Sequence, residues 1–194
     1  MALWQDVWSK KLLQHCVQLN KPLLIDADGL NLLSKLGLKI SSELIITPHP
    51  GEASRLLGEK LFTHKLLHQA EKINSVAIQR DRFDAIKRIH ALFKESPSCV
   101  AILKGSGTLI FDGQTIAVCD LGSPAMAAPG MGDVLSGIII ALMAQQAQDA
   151  DIALAEIATL GVCLHATAAE LVIDGKTRGL LASDVVAKLP EVLL

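Results

Sequence analysis

Cys99-Val100-Ala101-Ile102-Leu103 is a continuous apolar run, and the glycine-rich turn Lys104-Gly105-Ser106-Gly107-Thr108 follows it directly. A short apolar run bounded by turn residues is typical of a strand that is buried on both faces of a parallel sheet. Residues 22–26 and 43–47 form two similar runs, and segments with helical spacing lie between them. This alternation predicts an α/β fold with three layers, in which a mainly parallel sheet lies between two layers of helices.

The spacing of apolar residues also predicts the other elements. Helices are expected at residues 4–19, 28–35, 51–57, 84–93, 132–147 and 151–172, with a short helix from Ser183. The dipeptide Asp112-Gly113, between apolar runs at 109–111 and 115–118, predicts a β-hairpin. Residues 59–75 have weak periodicity and are expected at the surface. We expect the chain to form a single domain, 1–194.

The composition excludes several classes of function. Of the 194 residues, 51% are hydrophobic and 20% charged, which indicates a compact globular protein. The net charge is −2 and no dense cluster of lysine and arginine occurs, so nucleic acid is not an expected partner. No segment resembles an export signal, and the most apolar stretch, 134–144, is too short to span a membrane. The chain is therefore predicted to be cytoplasmic, with no membrane partner.

Some residues are expected to have only structural roles. The four cysteines are widely separated and form no CxxC motif, which predicts reduced thiols that pack as small core residues. Trp4 and Trp8 share one face of a predicted helix and are expected in the core. His165 lies in an apolar helix and is expected to be a hydrogen-bonded core residue.

Gly130-Met131-Gly132-Asp133 stands at the start of a long apolar helix. The first turn of a helix has backbone N–H groups without intrahelical partners, so a glycine-lined entry allows a phosphate to approach closely. Asp133 would repel that phosphate unless a metal ion or a substrate hydroxyl stood between them, which suggests proton abstraction. An N-cap aspartate behind helix-entry glycines explains the same residues without any function.

Three further polar motifs follow predicted strands, at 26–31, 47–52 and 104–108. The carboxyl ends of parallel strands meet at one edge of a sheet, where ligands of α/β proteins bind. The three motifs are therefore expected to converge.

The motifs Asp26-Ala27-Asp28-Gly29-Leu30-Asn31, Thr47-Pro48-His49-Pro50-Gly51-Glu52, Lys104-Gly105-Ser106-Gly107-Thr108 and Gly130-Met131-Gly132-Asp133-Val134-Leu135-Ser136-Gly137 occur in this order. Together they closely resemble the ADP-dependent NAD(P)H-hydrate dehydratases, which are carbohydrate-kinase-like repair enzymes of the ribokinase superfamily. The resemblance runs from residue 4 to residue 184. It implies a ribokinase-like fold and dehydration of the S form of hydrated NADH or NADPH, called NAD(P)HX, while ADP is converted to AMP and phosphate.

The resemblance also implies roles for individual residues. Asp133 matches the catalytic base, and Glu52 matches a glutamate that holds Mg²⁺ through water. The implied nucleotide-binding residues are Lys104, Gly105, Ser106, Gly107, Thr108, Gly130 and Gly132. The implied substrate-binding residues are His49, Asp133, Asp28 and Asn31. The implied small molecules are NAD(P)HX, ADP or ATP, and Mg²⁺.

Each of these residues also has a purely structural explanation. The alternative for the Lys104–Thr108 segment is a glycine-rich strand-to-hairpin turn, and the alternative for His49, a lone histidine after proline, is a surface turn residue. Glu52 in a first helical turn complements the helix dipole, and Asn31 could cap or solvate its helix.

The chain departs from the family pattern at two places. Further strands and a glycine-rich segment precede the position of Met1 in the family, so we expect the N-terminal third of the domain to be missing. Either the sequence is truncated, or the strands are absent in nature and another subunit covers the exposed sheet edge, and a homo-oligomer is expected. Pro129 stands where the family commonly has glycine, and it removes one N–H donor from the loop. Two alternatives remain open, a kinase such as hydroxyethylthiazole kinase and a non-catalytic nucleotide-binding fragment.

Overall fold

The computed structural model describes residues 7–58, 73–146 and 152–193 of the chain. Its helices are α1 Val7–Gln18, α2 Ala27–Leu36, α3 Pro50–Gly58, α4 Ser75–Arg80, α5 Arg82–Ala91, α6 Met131–Gln146, α7 Leu154–Ile173 and α8 Ala182–Val192. Its strands are β1 Leu23–Ile25, β2 Leu44–Ile46, β3 Cys99–Leu103, β4 Thr108–Phe111 and β5 Ile116–Cys119. Trp4 and most of the stretch at 59–75 lie outside the described residues.

The five strands form one sheet in the order β1-β2-β3-β4-β5. The first three run parallel, with Leu23 paired to Leu44 and Leu44 to Cys99. The short connection between β4 and β5 is a turn in which Asp112 Oδ1 accepts hydrogen bonds from the backbone N–H groups of Gln114 (2.8 Å) and Thr115 (2.7 Å). The structure confirms the α/β class, the parallel strands and the hairpin at Asp112-Gly113.

Contacts divide the chain into two compact units. Unit 1 comprises residues up to Gly105 together with Phe111–Ile116, and unit 2 comprises Ser106–Ile110 and the residues from Ala117 onward. The single domain expected for 1–194 stays a prediction.

The core of unit 1 forms around the parallel strands. All five residues of β3 and all three of β2 are buried. Helix α5 places Ile86 and Ile89 in this core, both with no exposed surface, as its spacing predicted. Full burial of such a side chain stabilises the fold by about 1.5–3 kcal/mol. The core therefore fixes where each parallel strand ends, and hence where the loops after the strands begin.

The core of unit 2 is built from its two most apolar helices. A Cβ atom at Gly161 of α7 would lie 2.6 Å from Ile139 Cγ1 of α6, so the two helices approach closely because this residue is glycine. His165 of α7 is 6% exposed, which confirms its predicted burial. Helix α7 is long and apolar enough to cross a membrane (mean hydropathy 1.5), but half of its apolar segment is buried in the structure. One such helix is typical of a protein core and is weak support for a membrane span.

Two sequence-based expectations about helices need correction. Helix α4 was not predicted, although Asn74 caps it by accepting a hydrogen bond from the N–H of Ala77 at 2.9 Å. Trp8 was expected in the core and is 61% exposed, while Ser9 is the buried residue of α1. The spacing of apolar residues shows which side chains share a helical face. It does not show what covers that face, and within the described ranges Val7, Trp8 and Leu12 remain exposed.

Candidate functional site

The loops that follow β1, β2 and β3 are joined by backbone hydrogen bonds. The N–H of Thr47 donates to the carbonyl of Ile25 at 3.3 Å, and the N–H of Lys104 donates to the carbonyl of Pro48 at 3.0 Å. Because the strands are parallel, all three loops lie at the carboxyl edge of the sheet. The predicted convergence of the three motifs is confirmed.

Lys104 and Asp26 form an ion pair at this edge. Lys104 Nζ lies 2.7 Å from Asp26 Oδ1 and 4.0 Å from Glu52 Oε2. The side chains of Lys104 and Asp26 are 21% and 12% exposed, so the pair is partly shielded from water. From the sequence, Lys104 is expected to contact phosphates, and no role is expected for Asp26. In the structure, the Asp26 carboxylate holds the lysine ammonium group at the end of β3.

Asp26 also begins helix α2. Its Oδ1 accepts a hydrogen bond from the N–H of Ala27 at 2.8 Å, and its extended backbone is typical of an N-cap. Ala27 has a φ of +48°, a left-handed conformation that is strained for a residue with a Cβ atom. Such strain persists where the surrounding contacts impose it, and it is frequent at functional sites.

His49 and Glu52 hold each other in a defined geometry. The N–H of His49 donates to Glu52 Oε2 at 2.8 Å, and His49 Nε2 lies 3.2 Å from Glu52 Oε1. His49 Nδ1 accepts a hydrogen bond from the N–H of Gly51 at 3.0 Å. Since Nδ1 accepts, the ring proton belongs on Nε2, where it faces the carboxylate. Glu52 is 5% exposed, whereas half of the His49 side chain is open to solvent.

Gly51 has no room for a side chain beside this histidine. A Cβ atom there would lie 2.8 Å from His49 Cε1, closer than ordinary packing allows. The glycine of the TPHPGE motif therefore permits the imidazole ring to lie over the first turn of α3.

Asn31 joins Asp28 to an arginine that the sequence analysis did not select. Asn31 Nδ2 donates to Asp28 Oδ1 at 3.1 Å, and Arg55 Nε donates to Asn31 Oδ1 at 2.7 Å. The predicted pocket residues Asp28 and Asn31 are thus in contact. Arg55 comes from α3, so this polar chain links α2 to α3.

Arg82 lies beneath the glycine-rich turn. Its Nη2 donates to the carbonyl of Leu103 at 2.9 Å and to that of Lys104 at 3.5 Å. Partial burial lowers the pKa of the Arg82 guanidinium from its ordinary value. The sequence offered only weak signals for Arg82 and Arg55, because a basic residue in an amphipathic helix is usually solvated.

In unit 2, Asp133 lies in the first turn of α6. The helix begins at Met131, so Asp133 is its third residue and not the N-cap. Its carboxylate is exposed, and within the described part of the chain it has no hydrogen-bond or ion-pair partner. The capping explanation is therefore excluded, and the oxygens of Asp133 are available to a ligand.

Gly130 takes a conformation that favours glycine at the entry to α6. Its φ is +84°, and a Cβ atom there would lie 3.1 Å from the Cβ of Ala182. Pro129 directly before it is exposed. In the predicted nucleotide turn, Gly105 (φ +142°) and Gly107 (φ +64°) also take left-handed conformations. These φ values favour glycine at both positions of the turn.

The described residues contain no group of three or more histidine, cysteine, aspartate or glutamate side chains that could hold a metal ion. Both oxygens of Glu52 already contact His49. Each carboxylate oxygen has a second lone pair, so Glu52 can still accept a hydrogen bond from a metal-bound water. This donor set fits Mg²⁺, which keeps several waters and is bound largely by substrate phosphates.

Comparison with known proteins identifies the family. A family model described as NAD(P)H-hydrate dehydratase matches residues 1–191. The bifunctional NAD(P)H-hydrate repair enzyme Nnr of Vibrio cholerae is 41% identical over 193 residues, which cover 99% of this chain and 34% of that protein. The ADP-dependent (S)-NAD(P)H-hydrate dehydratase of Neisseria meningitidis is 35% identical over 174 residues, which cover 86% of this chain and 51% of that one.

A solved structure has the same fold. The ADP/ATP-dependent NAD(P)H-hydrate dehydratase of Bacillus subtilis, co-crystallised with ATP and Mg²⁺, superimposes with a TM-score of 0.75 at 25% identity. The match covers 98% of this chain and 61% of that one. The chain spans between a third and a half of the two curated relatives described above. On the family match and these identities, this chain belongs to the NAD(P)H-hydrate dehydratase family.

Proposed function

We propose that this chain carries out the ADP-dependent dehydration of (S)-NAD(P)HX, which restores NAD(P)H and yields AMP and phosphate. The observation that supports this most directly is Asp133, an exposed carboxylate in the first turn of α6, behind a glycine with a left-handed backbone. The family match favours this reaction over that of a hydroxyethylthiazole-type kinase.

Asp133 is the proposed general base. The hydroxyl that hydration adds to the nicotinamide ring is a poor leaving group at neutral pH. Asp133 takes the proton from this hydroxyl. The hydroxyl oxygen then attacks the terminal phosphoryl group of ADP, and the bond from that phosphorus to the AMP oxygen breaks. The resulting phosphate ester then eliminates phosphate: its carbon–oxygen bond breaks, the neighbouring ring carbon gives up a proton to solvent, and the carbon–carbon double bond of NAD(P)H forms.

The backbone at the start of α6 is the proposed anion site. Gly130 and Gly132 carry no side chains, and the first N–H groups of a helix favour a developing negative charge. Pro129 contributes no N–H group, so this loop has one donor fewer than a glycine there would supply.

The cluster at the carboxyl edge of unit 1 supplies the other proposed roles. Lys104, with the turn Gly105–Thr108, binds nucleotide phosphates, since glycines allow the backbone to approach them. His49, with half of its side chain exposed, contacts the substrate, together with Asp28 and Asn31. Glu52 orients His49 and would accept a hydrogen bond from a water on Mg²⁺, and that ion would neutralise phosphate charge.

The cellular setting follows from the same proposal. We place the enzyme in the cytoplasm, acting on small molecules and not on nucleic acid or membranes. The exposed apolar face of α1, formed by Val7, Trp8 and Leu12, supports the proposed homo-oligomer, because exposed apolar patches frequently mark interfaces.

Turnover of hydrated NADH with ADP and Mg²⁺, followed by the return of nicotinamide absorbance, tests the proposal. Asp133→Asn should lower kcat roughly 100-fold or more, the usual contribution of a general base. Asp84→Asn is a matched control, because Asp84 is likewise the third residue of its helix and exposed. Asp84→Asn should keep the wild-type rate.

Two outcomes would contradict this assignment. Activity of Asp133→Asn within a few-fold of wild type would exclude Asp133 as the base. Binding of ADP by calorimetry without any turnover of hydrated NADH would instead support the non-catalytic nucleotide-binding alternative.

A further inference from the structure

Helix α5 is attached to β3 near both of its ends. At the start of α5, Arg82 donates to the carbonyl of Leu103, the last residue of β3. Near the end of α5, His90 Nε2 lies 3.0 Å from the carbonyl of Cys99, the first residue of β3. Ile86 and Ile89 fill the space between these contacts and have no exposed surface. The guanidinium of Arg82 is therefore fixed with respect to the end of β3.

The Arg82 side chain also occupies the space beside Gly105. A Cβ atom at Gly105 would lie 3.2 Å from Arg82 Nη2 and 3.5 Å from Cζ. Gly105 has a φ of +142°, which side-chain-bearing residues rarely adopt. The guanidinium thus packs directly on the backbone at the first glycine of the turn.

This contact sets the orientation of one peptide group. The carbonyl of Lys104 accepts from Arg82 Nη2, and in a planar trans peptide the N–H of the next residue points in the opposite direction. The N–H of Gly105 is therefore directed away from Arg82. The N–H of Lys104 is fixed as well, because it donates to the carbonyl of Pro48.

We propose that Arg82 is a positioning residue of the nucleotide site. It holds the carbonyls of Leu103 and Lys104 so that the turn Gly105–Thr108 keeps the backbone orientation that binds the nucleotide phosphates. This inference rests on the proposed function, in which that turn binds ADP. Both hydrogen bonds come from Nη2, whose two N–H directions the planar guanidinium fixes, whereas the three donors of a lysine ammonium rotate on a flexible stem.

Two measurements on the full chain test the inference. The first is hydrogen exchange of the amides in residues 104–108, and the second is the dissociation constant for ADP by calorimetry. Arg82→Ala should speed exchange in this turn and leave that of β1 and β2 unchanged. It should also weaken ADP binding about tenfold, the loss expected for hydrogen bonds from a charged donor. Arg82→Lys should recover part of both effects.

Arg88→Ala is the matched control. Arg88 lies on the same helix, is 42% exposed and forms a 3.5 Å ion pair with Asp84. This variant should match wild type in both measurements. In the turnover assay, Arg82→Ala should raise KM for ADP and leave KM for hydrated NADH unchanged, which a general loss of folding would not do.

The outcomes separate this inference from the proposed function. Wild-type exchange in residues 104–108 together with wild-type ADP affinity in Arg82→Ala would overturn the positioning role. If Arg82→Ala fails to fold, Arg82→Lys is measured in its place. Wild-type amide exchange in residues 104–108 and wild-type ADP affinity in Arg82→Lys would then overturn the positioning role. A third outcome is that Arg82→Ala exchanges faster in this turn but the wild type binds no ADP. This outcome would support the ordering of the turn by Arg82 and overturn the nucleotide site.

Discussion

Lys104 Nζ and Asp26 Oδ1 lie 2.7 Å apart, and this ion pair joins residues 78 positions apart in the chain. Strand β2 lies between the two strands that these residues follow. The pair therefore connects the loops after β1 and β3 across the end of β2, and it holds together the edge of the sheet where the family motifs meet.

Removal of the charge of Asp26 should destabilise this edge. Asp26→Asn keeps a side chain that can cap α2 but leaves the Lys104 ammonium group, 21% exposed, without its nearest carboxylate. We expect the free energy of unfolding in urea to fall by about 1–2 kcal/mol, since the pair is partly but not fully buried. Asp26→Ala should lose about 1 kcal/mol more, because the cap is also removed.

The exposed pair Lys39–Glu95 is the control for this prediction. Its side chains are 78% and 51% exposed, and its two atoms lie 2.9 Å apart. Glu95→Gln should therefore change the free energy of unfolding by less than about 1 kcal/mol. Equal losses from Glu95→Gln and Asp26→Asn would show that the shielding of the Asp26 pair contributes nothing.

The tautomer of His49 is a second prediction. With Nδ1 accepting from Gly51, the ring proton should be found on Nε2 by nitrogen NMR of the imidazole. Glu52→Gln replaces one accepting oxygen with an NH₂ group, so it should release the ring and shift its nitrogen signals. The ring of His90, which faces the carbonyl of Cys99, should be unaffected. A proton on Nδ1 of His49 in the wild type would contradict the geometry.

The glycines of α6 and its entry should respond in opposite ways to alanine. Gly130 has a φ of +84° and a close neighbour in Ala182, so Gly130→Ala should lower the free energy of unfolding by about 1–2 kcal/mol. Gly137 lies within α6 with nothing near its missing Cβ atom, so Gly137→Ala should raise it by about 0.5–1 kcal/mol. Thermal unfolding of the two variants checks the signs, and stabilisation by Gly130→Ala would refute the assigned strain.

Stability should depend on Cys99 at alkaline pH. Burial raises the pKa of the Cys99 thiol from 9.0 to about 12, so the folded state keeps its proton where the unfolded state loses it. The contribution of the protonated Cys99 thiol to the free energy of unfolding is fully present below pH 9 and is lost as the pH rises toward 12. From pH 8 to pH 10, wild type should lose about 1 kcal/mol more than Cys99→Ala.

Alkylation gives an independent check on the same thiol. Native protein at pH 8 should react with iodoacetamide at Cys16, which is partly exposed, well before Cys99. Both should react at similar rates in urea. Native labelling of Cys99 as fast as Cys16 would contradict its burial.

Much of unit 1 could be predicted because local signals and the fold agree there. The apolar run at β3, the hairpin at Asp112-Gly113 and the motifs after each strand are all encoded by adjacent residues, and the parallel register then brings them together. The ion pair of Asp26 with Lys104 could not be found in this way. It joins strands that are not neighbours in the sheet, and the spacing of residues along the chain carries no record of such a contact.

Arg55 and Arg82 could not be predicted as site residues for a similar reason. Arg55 and Arg82 lie on amphipathic helices, where a basic side chain is usually a solvated one. Their roles depend on what the helix face meets, the amide of Asn31 for one and two backbone carbonyls for the other. Trp8 shows the same limit in the opposite direction, since its apolar character did not bring it into the core.

The exposure of Trp8 makes it a reporter of what covers helix α1. The chain has no tyrosine and two tryptophans, so with Trp4 replaced by phenylalanine the ultraviolet emission comes from Trp8 alone. An indole that is 61% exposed should emit at the long wavelengths of a hydrated ring. A shift to shorter wavelength as protein concentration increases would show that another copy of the chain shields this helix from water, and it needs no added dye.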